Sequence, residues 1–250
     1  LDGVTGVQTC ALPISVIFAG KAAPGYFMAK RLIKLINNLG EIINKDLDIR
    51  DRLKVVFLPN YSVSLAEKII PAADLSEQIS TAGYEASGTG NMKFALNGAF
   101  TLGTMDGANV EMAEEIGEEN MFIFGLRAHE VSALKASGYN PRDYYDRDPL
   151  LKRVVDSLLD DSWCTDESGI FSPIWKALME DGDTYMHMAD FRAFVEASDA
   201  VDRLYLNKEE WVKKAIINIA RIGKFSSDRA ITEYAEDIWK VKPLILDFGG

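Results

Sequence analysis

Histidine and cysteine are nearly missing from these 250 residues, with two of each. Cys10 and Cys164 are too few and too far apart for a disulfide framework or a zinc ribbon, so both read as reduced thiols of a cytoplasmic protein. Neither His129 nor His187 has a second histidine or a cysteine at metal-ligand spacing, which argues against zinc. His129 in LRAHEVSALKASG and His187 in DTYMHMADF both fit solvated helix surfaces, so chemistry run on histidine is not expected. A basic excess is also missing. The net charge of −11 leaves no surplus cations to displace counterions from a nucleic acid. A small phosphate needs only local donors and stays compatible, as does a neutral polysaccharide. No apolar run is long enough to span a bilayer. CALPISVIFAG (10–20) lacks a basic leader and runs into GKAAPGY, so it reads as a buried strand rather than a signal.

What is present is an ordinary globular composition, 48% hydrophobic and 26% charged, on a chain long enough for a substantial core. SVIFAG (15–20), RLKVVFLPN (52–60), FTLGTMDG (100–107) and NMFIFG (120–125) are short, partly β-branched or aromatic, and bounded by Gly, Pro or Asn. They predict buried strands. Met28, Leu32, Leu35, Ile36, Leu39, Ile42 and Ile43 share one helical stripe. SLAEKIIPAADL (64–75) and GANVEMAEEIG (107–117) predict further helices, the second stopped by Gly117. Such alternation implies right-handed crossovers and a largely parallel sheet. After about residue 127 only helical patterns follow. Among them Val212, Ala215, Ile216, Ile219 and Ile222 form one stripe, Gly223 fits its C-terminal cap, and Ser226 or Ser227 fits the next N-cap. Residues 1–14, LDGVTGVQTCALPI, fit neither period and resemble translated adapter sequence, so they are set apart as a non-native leader.

The stretch EASGTGNMKFALNG (85–98) places Gly88 and Gly90 before a helical run that carries Lys93. It is not a Walker loop, because Lys93 follows Gly90 by three residues and precedes Phe94. Nor is it a dinucleotide fingerprint, since lysine occupies the third glycine position. What remains is backbone N–H groups opening a helix, the general physics of an anion site. Lys93, between Met92 and Phe94, is expected to be partly desolvated, with the lowered pKa that an imine-forming lysine requires. A phosphate site beside such a lysine suggests pyridoxal phosphate. The plainer alternative is a simple turn with a lysine that snorkels to solvent.

The whole stretch from Asn60 to Gly125, with AGKAAPGYFMAK (19–30), GYNPRDYYDR (138–147) and GKFSSDRAITEYAEDIW (223–239), resembles the α-glucan phosphorylases, the glycogen, starch and maltodextrin enzymes. The likeness runs from about residue 15 to 243. It implies an α/β fold: the Rossmann-like C-terminal lobe of a GT-B glycosyltransferase, a parallel sheet with flanking helices, followed by a helical tail. In that frame 15–126 is the cofactor-binding part of the lobe and 127–250 its helical part. The implied reaction is phosphorolysis of terminal α-1,4-linked glucose to glucose 1-phosphate by inorganic phosphate. The aldehyde of pyridoxal 5'-phosphate only tethers the cofactor, while its phosphate exchanges a proton with the substrate phosphate. Carried over by motif, Lys93 is the catalytic Schiff-base lysine, and Thr89 with the Gly90 N–H binds the cofactor phosphate. Tyr61 lines the cofactor pocket, and Glu85, Ser87 and Gly88 hydrogen-bond glucose.

The resemblance also marks departures. Ser62 stands where animal members carry an arginine beside the cofactor phosphate, which looks more bacterial. Tyr26 matches a residue of the purine inhibitor site in animal enzymes. The family's N-terminal domain and a basic stretch upstream of GKAAPGY are not in this sequence, so a C-terminal fragment, inactive alone and homodimeric when full length, is the expectation. Two other readings stay open: a non-catalytic glucan- or partner-binding remnant of the same fold, and a nucleotide-sugar glycosyltransferase. Lys93 speaks against both.

Overall fold

The structure is a computed structural model that describes residues 14–49, 51–242 and 244. The leader at 1–14, apart from Ile14, lies outside the described residues, as does Cys10. Strands β1 (Ile14–Ala19) and β2 (Leu53–Leu58) pair in parallel, joined through α1 (Phe27–Lys45). Helix α2 (Val63–Ile69) and a 3-10 turn (Ile70–Ala72) lead to β3 (Leu75–Gln78). Helix α3 (Gly90–Leu96) then connects to β4 (Phe100–Gly103), and α4 (Ala108–Ile116) to β5 (Phe122–Ile123). These last three strands form a second parallel sheet with β4 in the middle, Leu75 opposite Phe100 and Leu102 opposite Phe122.

The remainder is helical: α5 (Ala128–Ala136), α6 (Pro141–Arg147), α7 (Pro149–Asp156), α8 (Ser172–Met179), α9 (His187–Leu206), α10 (Lys208–Arg221) and α11 (Ser227–Glu233). A π-helical turn, Tyr234–Trp239, follows α11. The parallel strands flanked by helices are the α/β architecture expected. Every residue of β4 is buried, as a central parallel strand covered on both faces must be. Ala95, Met112, Ala113, Ile116, Met121 and Ile222 form one core beside it. Phe100, Val201 and Trp211 form another that ties the sheet to α9 and α10, with the Phe100 and Trp211 ring centroids 4.4 Å apart.

Five expectations need correction. The strand expected to be buried at 15–20 is exposed at Ser15 and from Ile17 to Ala19. Instead of one sheet, the strands form two hydrogen-bonded sheets of two and three strands. The helix expected over 64–75 ends at Ile69, and Leu75 already belongs to β3. Pro71 sits in the intervening 3-10 turn and cannot supply the N–H that an α-helix needs. On α10 the buried residues are Trp211 and Asn218, with Ile222 just beyond, while Val212, Ile216 and Ile219 are exposed. The helix is apolar over a wide arc, and Trp211 and Asn218 set the inward face one position away from the aliphatic stripe. Gly223 is not a cap: Ile222 holds the C-cap and opens a 3-10 turn, Ile222–Phe225. Ser226 does occupy the N-cap of α11, without a side-chain hydrogen bond.

Candidate functional site

The loops following β3 and β4 leave the carboxyl ends of neighbouring parallel strands, where ligand sites of open α/β sheets form. The longer loop, 79–89, contains Glu85, Ser87, Gly88 and Thr89, and Gly90 opens α3 directly after it. The shorter one, 104–107, holds it in shape. The Asp106 carboxylate accepts the Tyr84 N–H at 3.0 Å and the Glu85 N–H at 2.6 Å. The Ala108 N–H donates to the Ser87 carbonyl at 2.7 Å, and the Thr104 hydroxyl donates to the Ser80 carbonyl at 2.5 Å. Beneath them Asn91 donates through Nδ2 to Asn109 Oδ1 at 2.8 Å, and Asn109 donates to the Thr104 carbonyl at 2.9 Å. Both asparagines are buried, so this pairing satisfies groups that would otherwise be costly to desolvate.

Further support comes from the helical region. The Thr81 hydroxyl donates to the Tyr185 carbonyl at 2.6 Å, and Tyr84 meets Tyr185 edge-on with centroids 5.3 Å apart. The turn carrying Tyr185 is fixed by Asp183, whose Oδ2 accepts from the Tyr139 hydroxyl at 2.8 Å and the Met188 N–H at 2.9 Å. Burial of the Tyr139 hydroxyl, with its bond to Asp183, pushes its pKa far above the ordinary tyrosine value, so it stays a neutral donor.

Within this frame the candidate residues fall as follows. Glu85, Ser87, Thr89 and Lys93 are exposed, and Gly88 and Gly90 half-buried. Among the described residues the Glu85 carboxylate has only a long contact from the Ser80 hydroxyl, 3.5 Å. Thr89 is the N-cap residue of α3, yet its side chain caps nothing. Gly88 is left-handed at φ +88°, and a Cβ placed on Gly90 would meet no atom within 4 Å, so the backbone is open to a ligand there. The expected desolvation of Lys93 is not found. On α3 the buried residues are Asn91 and Ala95, and Lys93, two positions on from Asn91, points to the opposite side of the helix. Glu85, Ser87, Thr89 and Lys93 are therefore exposed along one segment, with Asn91 buried beneath it. Tyr61 stands apart just before α2, 39% exposed, and no hydrogen bond or ring contact among the described residues joins it to that segment. Ser62 caps α2, accepting the Leu65 N–H at 3.4 Å.

Sequence reasoning missed Asp106, Asn91, Asn109, Thr81 and Tyr185. The sequence signal for Asp106 is the Asp-Gly pair just past a strand, a turn signature. Both histidines are exposed. Among the described residues no group of three His, Cys, Asp or Glu side chains could hold a metal ion, and no helix is long and apolar enough to cross a membrane.

The family model described as carbohydrate phosphorylase matches residues 5–241. The brain form of glycogen phosphorylase from Homo sapiens is 59% identical over 232 residues, covering 93% of this chain and 27% of that protein. The muscle form from Bos taurus is 56% identical with the same coverage. Glycogen phosphorylase from the cyanobacterium Synechocystis is 52% identical over 94% of this chain and 28% of its own length. The chain thus spans about a quarter of the length of the curated relatives it matches. The animal forms, at 56–59% identity, and the Synechocystis protein, at 52%, match over nearly the same share of the chain.

Proposed function

The chain belongs to the carbohydrate phosphorylase family, and from that premise we propose that it is the cofactor- and sugar-binding portion of a glycogen phosphorylase. The full-length protein, a homodimer of the cytoplasm, transfers terminal α-1,4-linked glucose of a glucan to inorganic phosphate, giving glucose 1-phosphate. The supporting observation is the segment from Glu85 to Lys93, whose backbone is held at the carboxyl edge of the sheet while the side chains of Glu85, Ser87, Thr89 and Lys93 are exposed and make no short hydrogen bond among the described residues. Residues kept unpaired by a rigid frame are what a binding site requires.

The residues present fit pyridoxal 5'-phosphate. Lys93 is exposed for attachment, the Thr89 hydroxyl is uncommitted, and the Gly90 backbone is open to a phosphate oxygen. When bound, the cofactor supplies through its phosphate the acid and base of the reaction. The chain's own residues orient and bind. Thr89 and the Gly90 N–H would donate to that phosphate, next to the positive end of a helix. Glu85, Ser87 and Gly88 hydrogen-bond glucose hydroxyls and set the anomeric carbon in place. Tyr61 lines the cofactor pocket in the complete protein.

The test is phosphorolysis by the full-length protein. Glycogen and phosphate should yield glucose 1-phosphate only when pyridoxal phosphate is bound. Glucan binding without turnover in the cofactor-loaded protein would instead support the non-catalytic remnant.

A further inference from the structure

We propose that Asp106 is a positioning residue for sugar recognition: it shapes the loop that presents Glu85 without itself touching substrate. The inference rests on the reading of Glu85 as a glucose ligand. Asp106 Oδ2 accepts two successive backbone N–H groups, those of Tyr84 and Glu85, at 3.0 and 2.6 Å. Bonds from a backbone N–H to a carboxylate are stronger than neutral ones, and two on one oxygen fix the peptide planes on both sides of the Tyr84 Cα. That leaves Glu85 a defined backbone from which to project its side chain. The next residue makes the close approach possible. Gly107 is left-handed at φ +52°, and a Cβ there would lie 2.4 Å from the Ser87 carbonyl oxygen and 3.0 Å from Glu85 Cγ. Directly after it, the Ala108 N–H holds the Ser87 carbonyl at 2.7 Å. Thr104, two residues before Asp106, grips Ser80 at the far end of the loop. The segment Thr104–Ala108 therefore acts as a template, and Asp106 is the only residue in it that contacts the Glu85 backbone through a side chain.

If Asp106 acts through Glu85, removing it matters only while Glu85 is there to be positioned. In the full-length protein Asp106→Ala should lower kcat/KM for glucan about tenfold, with cofactor attachment at Lys93 unchanged. Added to Glu85→Ala, it should cost less than about twofold more. Additive losses, or loss of the cofactor, would overturn the proposal. Asp106→Asn keeps an acceptor oxygen but not the charge, and should fall between parent and alanine. It also serves if the alanine variant does not fold. Hydrogen exchange at the Tyr84 and Glu85 amides gives a readout independent of catalysis. Exchange about tenfold faster in either variant than in the parent supports the positioning role, and unchanged exchange overturns it. A Glu85→Ala variant with full turnover would remove the reading of Glu85 as a sugar ligand, and the amide exchange would still decide whether Asp106 shapes the loop.

Discussion

At the scale of single residues, Lys93 and Glu85 pose opposite problems. Lys93 sits on the exposed side of α3, opposite Asn91 and Ala95, so nothing in this chain selects it by burial. Its claim rests on its place one turn after the Thr89–Gly90 start of the helix. Borohydride reduction of the full-length protein loaded with pyridoxal phosphate should fix the label on Lys93. A label on Lys21 or Lys30 would sink the assignment. Glu85 has a backbone held by Asp106 and, among the described residues, a carboxylate with only one long contact. Glu85→Ala should therefore leave the cofactor bound and cut turnover, at a cost of about 2–4 kcal/mol of transition-state stabilisation. Loss of cofactor with normal turnover per bound cofactor would contradict that role. The sequence made these side chains legible because their spacing within EASGTGNMK is local. It hid Asp106, Thr81 and Tyr185, because each acts on a segment distant in the chain, as when Thr81 reaches the Tyr185 carbonyl.

At the scale of elements, strands with β-branched or aromatic runs were readable and β3 was not. Leu75-Ser76-Glu77-Gln78 has little strand propensity, and its pairing with Phe100 to Gly103 makes it a strand, a tertiary effect that overrides local preference. The face of α10 was misassigned for a related reason: one tryptophan and one buried asparagine outweighed three exposed aliphatics. A further link between elements is Asp190 on α9, which accepts the Leu126 N–H at 2.8 Å just past β5. Its oxygens lie where a Cβ on Gly125 would be, at 2.9 Å, and Gly125 is left-handed at φ +76°. Burial pushes the Asp190 carboxyl above the usual value, against the Leu126 bond and the neighbouring His187, with Asp183 and Glu130 adding to the rise. The folded state thus holds this proton more tightly than the unfolded state. The group's contribution is fully present below the ordinary carboxylate pKa and is lost as pH rises through the folded value. Asp190→Asn keeps the acceptor and removes the charge. Urea unfolding should find it at least as stable as the parent at pH 7 and less dependent on pH between about 4 and 7. A variant clearly less stable at pH 7, with an unchanged pH profile, would show that the charge itself is needed.

At the scale of the molecule, the exposed apolar residues cluster by element. Val212 at 54%, Ile216 at 59% and Ile219 at 47% line α10, while Ile231, Tyr234, Ile238 and Trp239, between 47% and 66% exposed, line α11 and the turn after it. Contiguous apolar surface of this kind favours association in water. The site is just as open: Glu85, Ser87, Thr89 and Lys93 all face solvent, where water screens the charges that would have to stabilise a reacting phosphate. Two phosphates brought together need cations nearby. On the proposed reading Lys93 would carry the cofactor and so would offer no free ammonium, and Ser62 adds no cation. We therefore expect these 250 residues, purified alone, to bind pyridoxal phosphate weakly, to associate as concentration rises, and to release no glucose 1-phosphate from glycogen and phosphate. Light scattering across a dilution series and an assay for glucose 1-phosphate check both parts. Turnover comparable to that of an intact phosphorylase would mean that the residues described here already contain the needed cations, and that the exposed segment closes over substrate without help from the rest of the protein.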